Sequence, residues 1–256
     1  MSKLKVALVQ YSPVWEDPEK TIEVIESLIK KSDLRDVSLM IFPEMSLTGF
    51  TMNSQKFAEE MDGISFLYFM QLAKRLKINI FAGIIERDEK NIFNSLIHFD
   101  NKSLIRGIYR KIHPFSFAKE DESYSAGKEP FVMSINKISF GISICYDLRF
   151  PELYRFYAKQ KVDVLVNIAN WPVARINHWN LLLQARAIEN QSFMIGVNRI
   201  GNDPYLEYPG NSAAIDPMGN VLGLNKTESI LIVEIDSGTV SETRSKLPFL
   251  EDIKLM

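Results

Sequence analysis

Ser143-Ile144-Cys145-Tyr146-Asp147-Leu148-Arg149-Phe150-Pro151-Glu152 is where one periodicity gives way to another. Upstream, Ile138–Ile144 is an apolar β-type run. Downstream, Pro151–Lys159 predicts a helix with proline in its first turn, where a missing N–H costs nothing. A buried strand therefore stops at a cysteine, and a helix opens within a few residues. After it, residues 162–168 form another apolar run, Ile176–Asn190 a long helical pattern and Phe193–Asn198 a further strand. Asp216-Pro217-Met218-Gly219-Asn220 predicts a turn between two final strands. Before it, residues 131–134 pair with Ile138–Ile144 across a turn at Asn136, and Asp100-Asn101-Lys102-Ser103 predicts a hairpin joining Asn91–Phe99 to 104–111.

The front of the chain alternates differently. Residues 4–10, 37–42 and 79–85 read as largely buried strands. Between the first two, 18–31 places Ile22, Ile25, Leu28 and Ile29 on one helical face, and 66–76 continues an apolar side through Leu72, Ala73 and Leu76. Alternation followed by hairpins predicts α/β (α+β) layers, with sheets covered by helices. The central hairpins are antiparallel and no glycine-rich phosphate loop follows the first strand, which argues against a parallel dinucleotide-binding sheet.

No linker, repeat or low-complexity tract divides the 256 residues, so one domain over 1–256 is expected. Its last stretch, 237–256, mixes Leu, Phe, Pro and charges and reads as a C-terminal arm packed on a neighbour. With 30 basic and 32 acidic side chains, nothing in the overall charge calls for nucleic acid or an anionic membrane as partner. The one cysteine cannot form an intrachain disulfide and suits a reducing compartment. No signal-peptide pattern and no apolar run of roughly 20 residues is present, so a cytoplasmic protein is expected.

Three positions carry candidate chemistry. Cys145, on a tight strand-to-helix turn near the positive end of a helix, is set up for thiolate formation, and the Tyr146 N–H that follows is placed to help hold an oxyanion. Read alone, Cys145 equally suits a buried structural cysteine. Glu44, in Ile41-Phe42-Pro43-Glu44-Met45, arrives at the end of an apolar strand, where burial raises a carboxyl pKa and makes it a usable base. Lys111, in Tyr109-Arg110-Lys111-Ile112-His113, also ends a strand and can offer a fixed ammonium to an oxyanion. In isolation either is a solvated strand end. A further segment, Asn170-Trp171-Pro172-Val173-Ala174-Arg175-Ile176-Asn177-His178-Trp179, leaves a strand and enters a helix. Trp171 there can wall a pocket, Arg175 can clamp a carboxylate through its planar fork, and His178 reads as a structural contact.

Together these segments resemble the nitrilase superfamily of carbon–nitrogen hydrolases, from Val6-Ala7-Leu8-Val9-Gln10 through the Asp216 turn. The resemblance implies a four-layer α-β-β-α sandwich of two mixed sheets and a homodimer. It assigns Glu44 as general base, Lys111 as stabiliser of the oxyanion and Cys145 as nucleophile. It also implies a second glutamate seven residues before the glycine of a Tyr-x-x-Gly turn, which from Gly127 is Glu120, with Glu122 the alternative. The Asn-Trp-Pro-x-x-Arg-x-x-His-Trp run, with Ala185-Arg186-Ala187-Ile188-Glu189-Asn190-Gln191, is similar to the omega-amidase branch. That implies a small-molecule partner, the monoamide of a small dicarboxylic acid such as 2-oxoglutaramate or 2-oxosuccinamate, and no metal or organic cofactor. Its free carboxylate requires a pocket cation, for which Arg175 is the expected residue. Arg149, nearer the nucleophile, is either the alternative clamp or a brace of the turn. An N-carbamoyl amino-acid hydrolase, aliphatic amidase or nitrilase would use the same three catalytic residues, and a non-catalytic subunit would share the scaffold.

Overall fold

Residues 4–10 are apolar in both alternating registers, so a strand there needs cover on both faces. The computed structural model, which describes residues 2–255, supplies it. Strands β1 (Lys3–Gln10), β2 (Val37–Ile41), β3 (Asn79–Asp88), β4 (Asn91–Phe99) and β5 (Ile105–Arg110) lie side by side. The second sheet is built from β6 (Val132–Ile135), β7 (Ile138–Ile144), β8 (Val164–Ala169) and β9 (Phe193–Asn198). A short ribbon follows, β10 (Ile200–Asn202) with β11 (Glu207–Pro209), and then β12 (Ser212–Ile215), β13 (Val221–Asn225) and β14 (Ser229–Asp236). The sheet orders are β14-β1-β2-β3-β4-β5 and β13-β12-β9-β8-β7-β6. In each sheet three central strands pair in parallel and hairpins flank them, so both sheets are mixed.

The inner faces meet. Val6, Leu8, Leu39, Ile41 and Phe81 pack on Ile142, Ile144, Val166, Ile168 and Ile195. The intervening residues of β1, Ala7 and Val9, face outward under α1 (Pro18–Lys30) and α3 (Ile64–Leu76), which deliver Ile25, Ile29, Phe66, Phe69 and Leu72. On the other side α5 (Pro151–Lys159) and α6 (Ile176–Asn190) lay Tyr154, Tyr157, Trp179 and Leu183 over Leu165 and Met194. The single-turn helices α2 (Ser54–Phe57) and α4 (Glu120–Ser123) sit in connections. The result is the four-layer α-β-β-α sandwich.

The C-terminal region differs from a simple two-strand ending. β14 leaves the second sheet and pairs antiparallel with β1 along its whole length, from Lys3↔Asp236 to Gln10↔Ser229. Residues 237–246, the first half of the expected arm, form helix α7 (Ser237–Lys246), opened by Asp236, whose carboxylate accepts the Gly238 N–H. This helix docks on its own chain: Val240 enters the inner core, and Arg244 donates to the carbonyls of Val162 at 2.7 Å and Gln191 at 3.1 Å. The expected bounds at 1 and 256 lie outside the described residues.

One glycine matters for the site. A Cβ on Gly83 of β3 would lie 2.5 Å from Met45 N and 2.7 Å from Glu44 Cα, so only glycine lets this strand pass the Glu44 turn.

Candidate active site

Glu44, Lys111 and Cys145 each follow the end of a strand, β2, β5 and β7 respectively, and the face-to-face sheets bring them together. At Glu44 and Cys145 the backbone turns sharply: Met45 and Cys145 both have φ +45°, a conformation that costs a non-glycine residue energy. Asp147, fully buried, braces the second turn. Its carboxylate accepts the Ile144 N–H at 2.9 Å, the Tyr109 hydroxyl at 2.7 Å and the His113 N–H at 3.0 Å.

Lys111 is 1% exposed, and its ammonium donates to Glu44 Oε1 at 2.8 Å and to Glu120 Oε2 at 2.8 Å. Glu120 lies in the cluster, while Glu122 sits at the surface beside Lys119. The Asn94 amide donates to Glu44 at 2.7 Å and to Glu120 at 2.8 Å. Glu44 Oε2 accepts the Asn170 backbone N–H at 2.8 Å, and Glu120 accepts the Phe115 N–H at 2.6 Å. Two buried carboxylates thus share one ammonium and a set of neutral donors, the compensation that buried charge demands.

This compensation reverses two sequence expectations. Burial works to raise the Glu44 pKa, but Lys111, Asn94 and the Asn170 N–H outweigh it and hold the carboxyl below the usual glutamate range. Glu120 goes the other way, raised by burial and by its neighbour Glu44 against the pull of Lys111. Lys111 stays charged, because the two carboxylates overcome its desolvation. The Cys145 thiol is pushed well up, by burial first and then by Glu44, against the opposing pull of Lys111. A tight 3₁₀ turn, Cys145–Arg149, lies between β7 and α5, so Cys145 does not sit in the first turn of the helix as the sequence suggested. These shifts favour a neutral Cys145 thiol and an ionised Glu44 carboxylate.

Above the cluster lies a cavity of about 60 Å³ into which Cys145 opens. All four expected substrate-binding residues line it: Tyr146, Arg149, Trp171 and Arg175. Arg149 lies over the Trp171 ring at 4.8 Å and touches His178 Nδ1 at 3.2 Å, while Arg175 lies over Phe115 at 5.4 Å. Burial, and then the charge of Arg175, lower the Arg149 pKa. Among the described residues neither guanidinium has a carboxylate within ion-pair distance. Among those residues, too, no group of three or more His, Cys, Asp or Glu is arranged to hold a metal ion, and no helix is long and apolar enough to cross a membrane.

The sequence reading did not single out Asn94, Asp147, Phe50 or Tyr208, nor the Asn170 amide. Asn94 had one signal, a polar Asn94-Ser95 pair between apolar Ile92-Phe93 and Leu96-Ile97. Phe50 from a loop and Tyr208 from the short strand β11 reach the cavity from positions remote in sequence, without a local pattern.

Residues 5–245 match the carbon-nitrogen hydrolase family, and the chain belongs to it, an enzyme of that class. It is 34% identical to a hydrolase in the agr operon of Staphylococcus aureus, over 98% of both chains. It is 32% identical to a 2-oxoglutaramate amidase of Bacillus subtilis, again over 98% of both. Among solved structures it superimposes with a TM-score of 0.94 and 32% identity on a carbon-nitrogen hydrolase superfamily protein of Xanthomonas campestris with an arsenic adduct in its active site. That match covers 100% of this chain and 99% of the other.

Proposed function

We propose that this protein is an amidase that hydrolyses the terminal amide of small dicarboxylic acid monoamides, of the 2-oxoglutaramate or 2-oxosuccinamate type, to the acid and ammonia. The observation that carries the reading is the pairing, in one small cavity, of Cys145 with two arginines that have no carboxylate partner among the described residues. A guanidinium without an internal partner suits a substrate carboxylate. The similarity to a 2-oxoglutaramate amidase supports the same substrate class.

In this mechanism Cys145 Sγ attacks the amide carbon as its proton passes to Glu44, because the thiol rests protonated. The Lys111 ammonium and the Tyr146 N–H stabilise the tetrahedral oxyanion. Glu44 returns the proton to nitrogen, the C–N bond breaks, and ammonia leaves a thioester. Water, deprotonated by Glu44, adds to the thioester, and the C–S bond breaks to release the acid and regenerate the thiol. Glu120 keeps Lys111 charged and aimed.

Ammonia release from 2-oxoglutaramate, 2-oxosuccinamate, succinamate, an aliphatic amide, an N-carbamoyl amino acid and a nitrile tests this, with Cys145→Ala as control. Preference for the dicarboxylate monoamides is expected. An N-carbamoyl amino acid also carries a carboxylate that the arginines suit, and carbon dioxide released with ammonia would reveal it. The protein is further proposed to act as a single-domain cytoplasmic homodimer. Supporting this, α5 and α6 expose Phe156, Leu181 and Ile188, the last two at 66% and 52%. Sedimentation of the wild type and of Leu181→Lys tests the pairing.

A further inference from the structure

Asn94 touches every charged member of the cluster. Its backbone carbonyl accepts the Lys111 N–H at 2.9 Å, which fixes where β5 hands the lysine into the site. Its side-chain nitrogen divides its two protons between Glu44 Oε1, at 2.7 Å, and Glu120 Oε1, at 2.8 Å. The residue is 1% exposed, on a central position of β4 opposite Ile85. No other side chain except Lys111 bridges the two carboxylates among the described residues.

The charge count shows why a bridge is needed. Two carboxylates facing one ammonium leave a negative excess in a site that water does not screen. Like charges so close push a proton onto one of them unless neutral donors separate and satisfy the oxygens. An amide NH₂ is suited to this, with two protons, no charge and a planar geometry that spaces two acceptors. A serine has one proton to give, and an aspartate would add a third negative charge.

We propose that Asn94 is a positioning residue for the hydrolytic reaction: its amide spaces the Glu44 and Glu120 carboxyl groups around Lys111, so that Glu44 is presented to Cys145 as the base. The proposal rests on Glu44 acting as the base for Cys145. It does not depend on which amide is cleaved.

The variant Asn94→Leu keeps the side-chain size and removes both donors, and Asn94→Asp keeps the shape and reverses the chemistry. Each is assayed for ammonia release across pH, on whichever amide the wild type cleaves best. Iodoacetamide alkylation of Cys145 across pH provides a readout that needs no substrate, with Cys145→Ala as blank. Removing a donor from Glu44 raises its pKa, so the acid limb of kcat/KM moves to higher pH. A shift of about one unit is expected for Asn94→Leu, with a loss of at least about tenfold in kcat/KM at neutral pH. The acid limb of alkylation moves the same way. Asn94→Asp is expected to lose more. A purely structural asparagine would lower activity with both limbs unmoved, and that result overturns the proposal, as would wild-type kcat/KM in a folded Asn94→Leu. If Asn94→Leu does not fold, Asn94→Ser, which keeps one donor, is read by the same limb shift and the same contrary result. Limbs that shift in alkylation while no panel amide is cleaved would support Asn94 and count against the substrate class alone.

Discussion

Asn170 donates to Glu44, 126 residues away, from both its backbone and its side chain. The Asn170 N–H donates to Glu44 Oε2 at 2.8 Å, and the Asn170 amide donates to the Glu44 backbone carbonyl at 2.7 Å. One asparagine at the end of β8 thus fixes both the carboxylate and the turn that carries it, across the two sheets. Asn170→Ala retains the backbone bond and loses the side-chain one. A hydrogen bond that holds a functional group in register is worth about 1–2 kcal/mol. We expect kcat to fall by roughly tenfold with KM little changed, measured by steady-state ammonia release.

Arg175 is the second test. Removing a cation that pairs with a substrate carboxylate weakens binding without touching the reacting atoms. Arg175→Ala is expected to raise KM for dicarboxylate monoamides by about tenfold or more and to leave an uncharged aliphatic amide unaffected. An equal loss on both substrates would place Arg175 in the scaffold and move the clamp to Arg149.

Gly83 tests the steric requirement at the Glu44 turn. Gly83→Ala puts a methyl against backbone that cannot rotate away, 2.5 Å from Met45 N. Overpacking of this kind costs about 1–3 kcal/mol, and here the displaced element carries the base. Urea unfolding should show a loss in that range, with a disproportionate fall in kcat.

His98 gives the protein a pH-dependent stability remote from the site. Burial pushes its pKa down to about 4, and its Nε2 pairs with Asn79 Oδ1 at 3.0 Å. Between the ordinary histidine value and 4, the unfolded chain binds a proton that the folded one refuses, so stability rises with pH across that window and falls on acidification. The shift corresponds to about 3 kcal/mol. Urea unfolding of the wild type and of His98→Gln at pH 7.5 and 4.5 should show the difference shrinking in the variant.

How much of this was legible beforehand depended on how far apart the interacting residues lie. Ile138–Ile144, Pro151–Lys159 and Ile176–Asn190 coincide with β7, α5 and α6, because their periodicity is local and long enough to read. Glu44, Lys111 and Cys145 stood out because each is a reactive side chain at the end of a strand-like segment. Asn94 and the Asn170 amide did not, since their roles are defined by partners 50 and 126 residues away. The same distance misled the charge reading. Glu44 beside apolar sequence suggests a raised pKa, whereas the fold surrounds it with donors that lower it. Three-residue strands such as β10 and β11 have too few positions for any period, so the ribbon bearing Tyr208 was invisible.

The antiparallel seam between β1 and β14 also has a consequence for biosynthesis. Strand β1 finds its outer neighbour only when the segment from Ser229 to Asp236 emerges from the ribosome, with more than two hundred residues synthesised in between. Contacts between such distant parts of a chain form late. The sheet that carries Glu44 therefore keeps an open edge at β1 until that later segment has been synthesised.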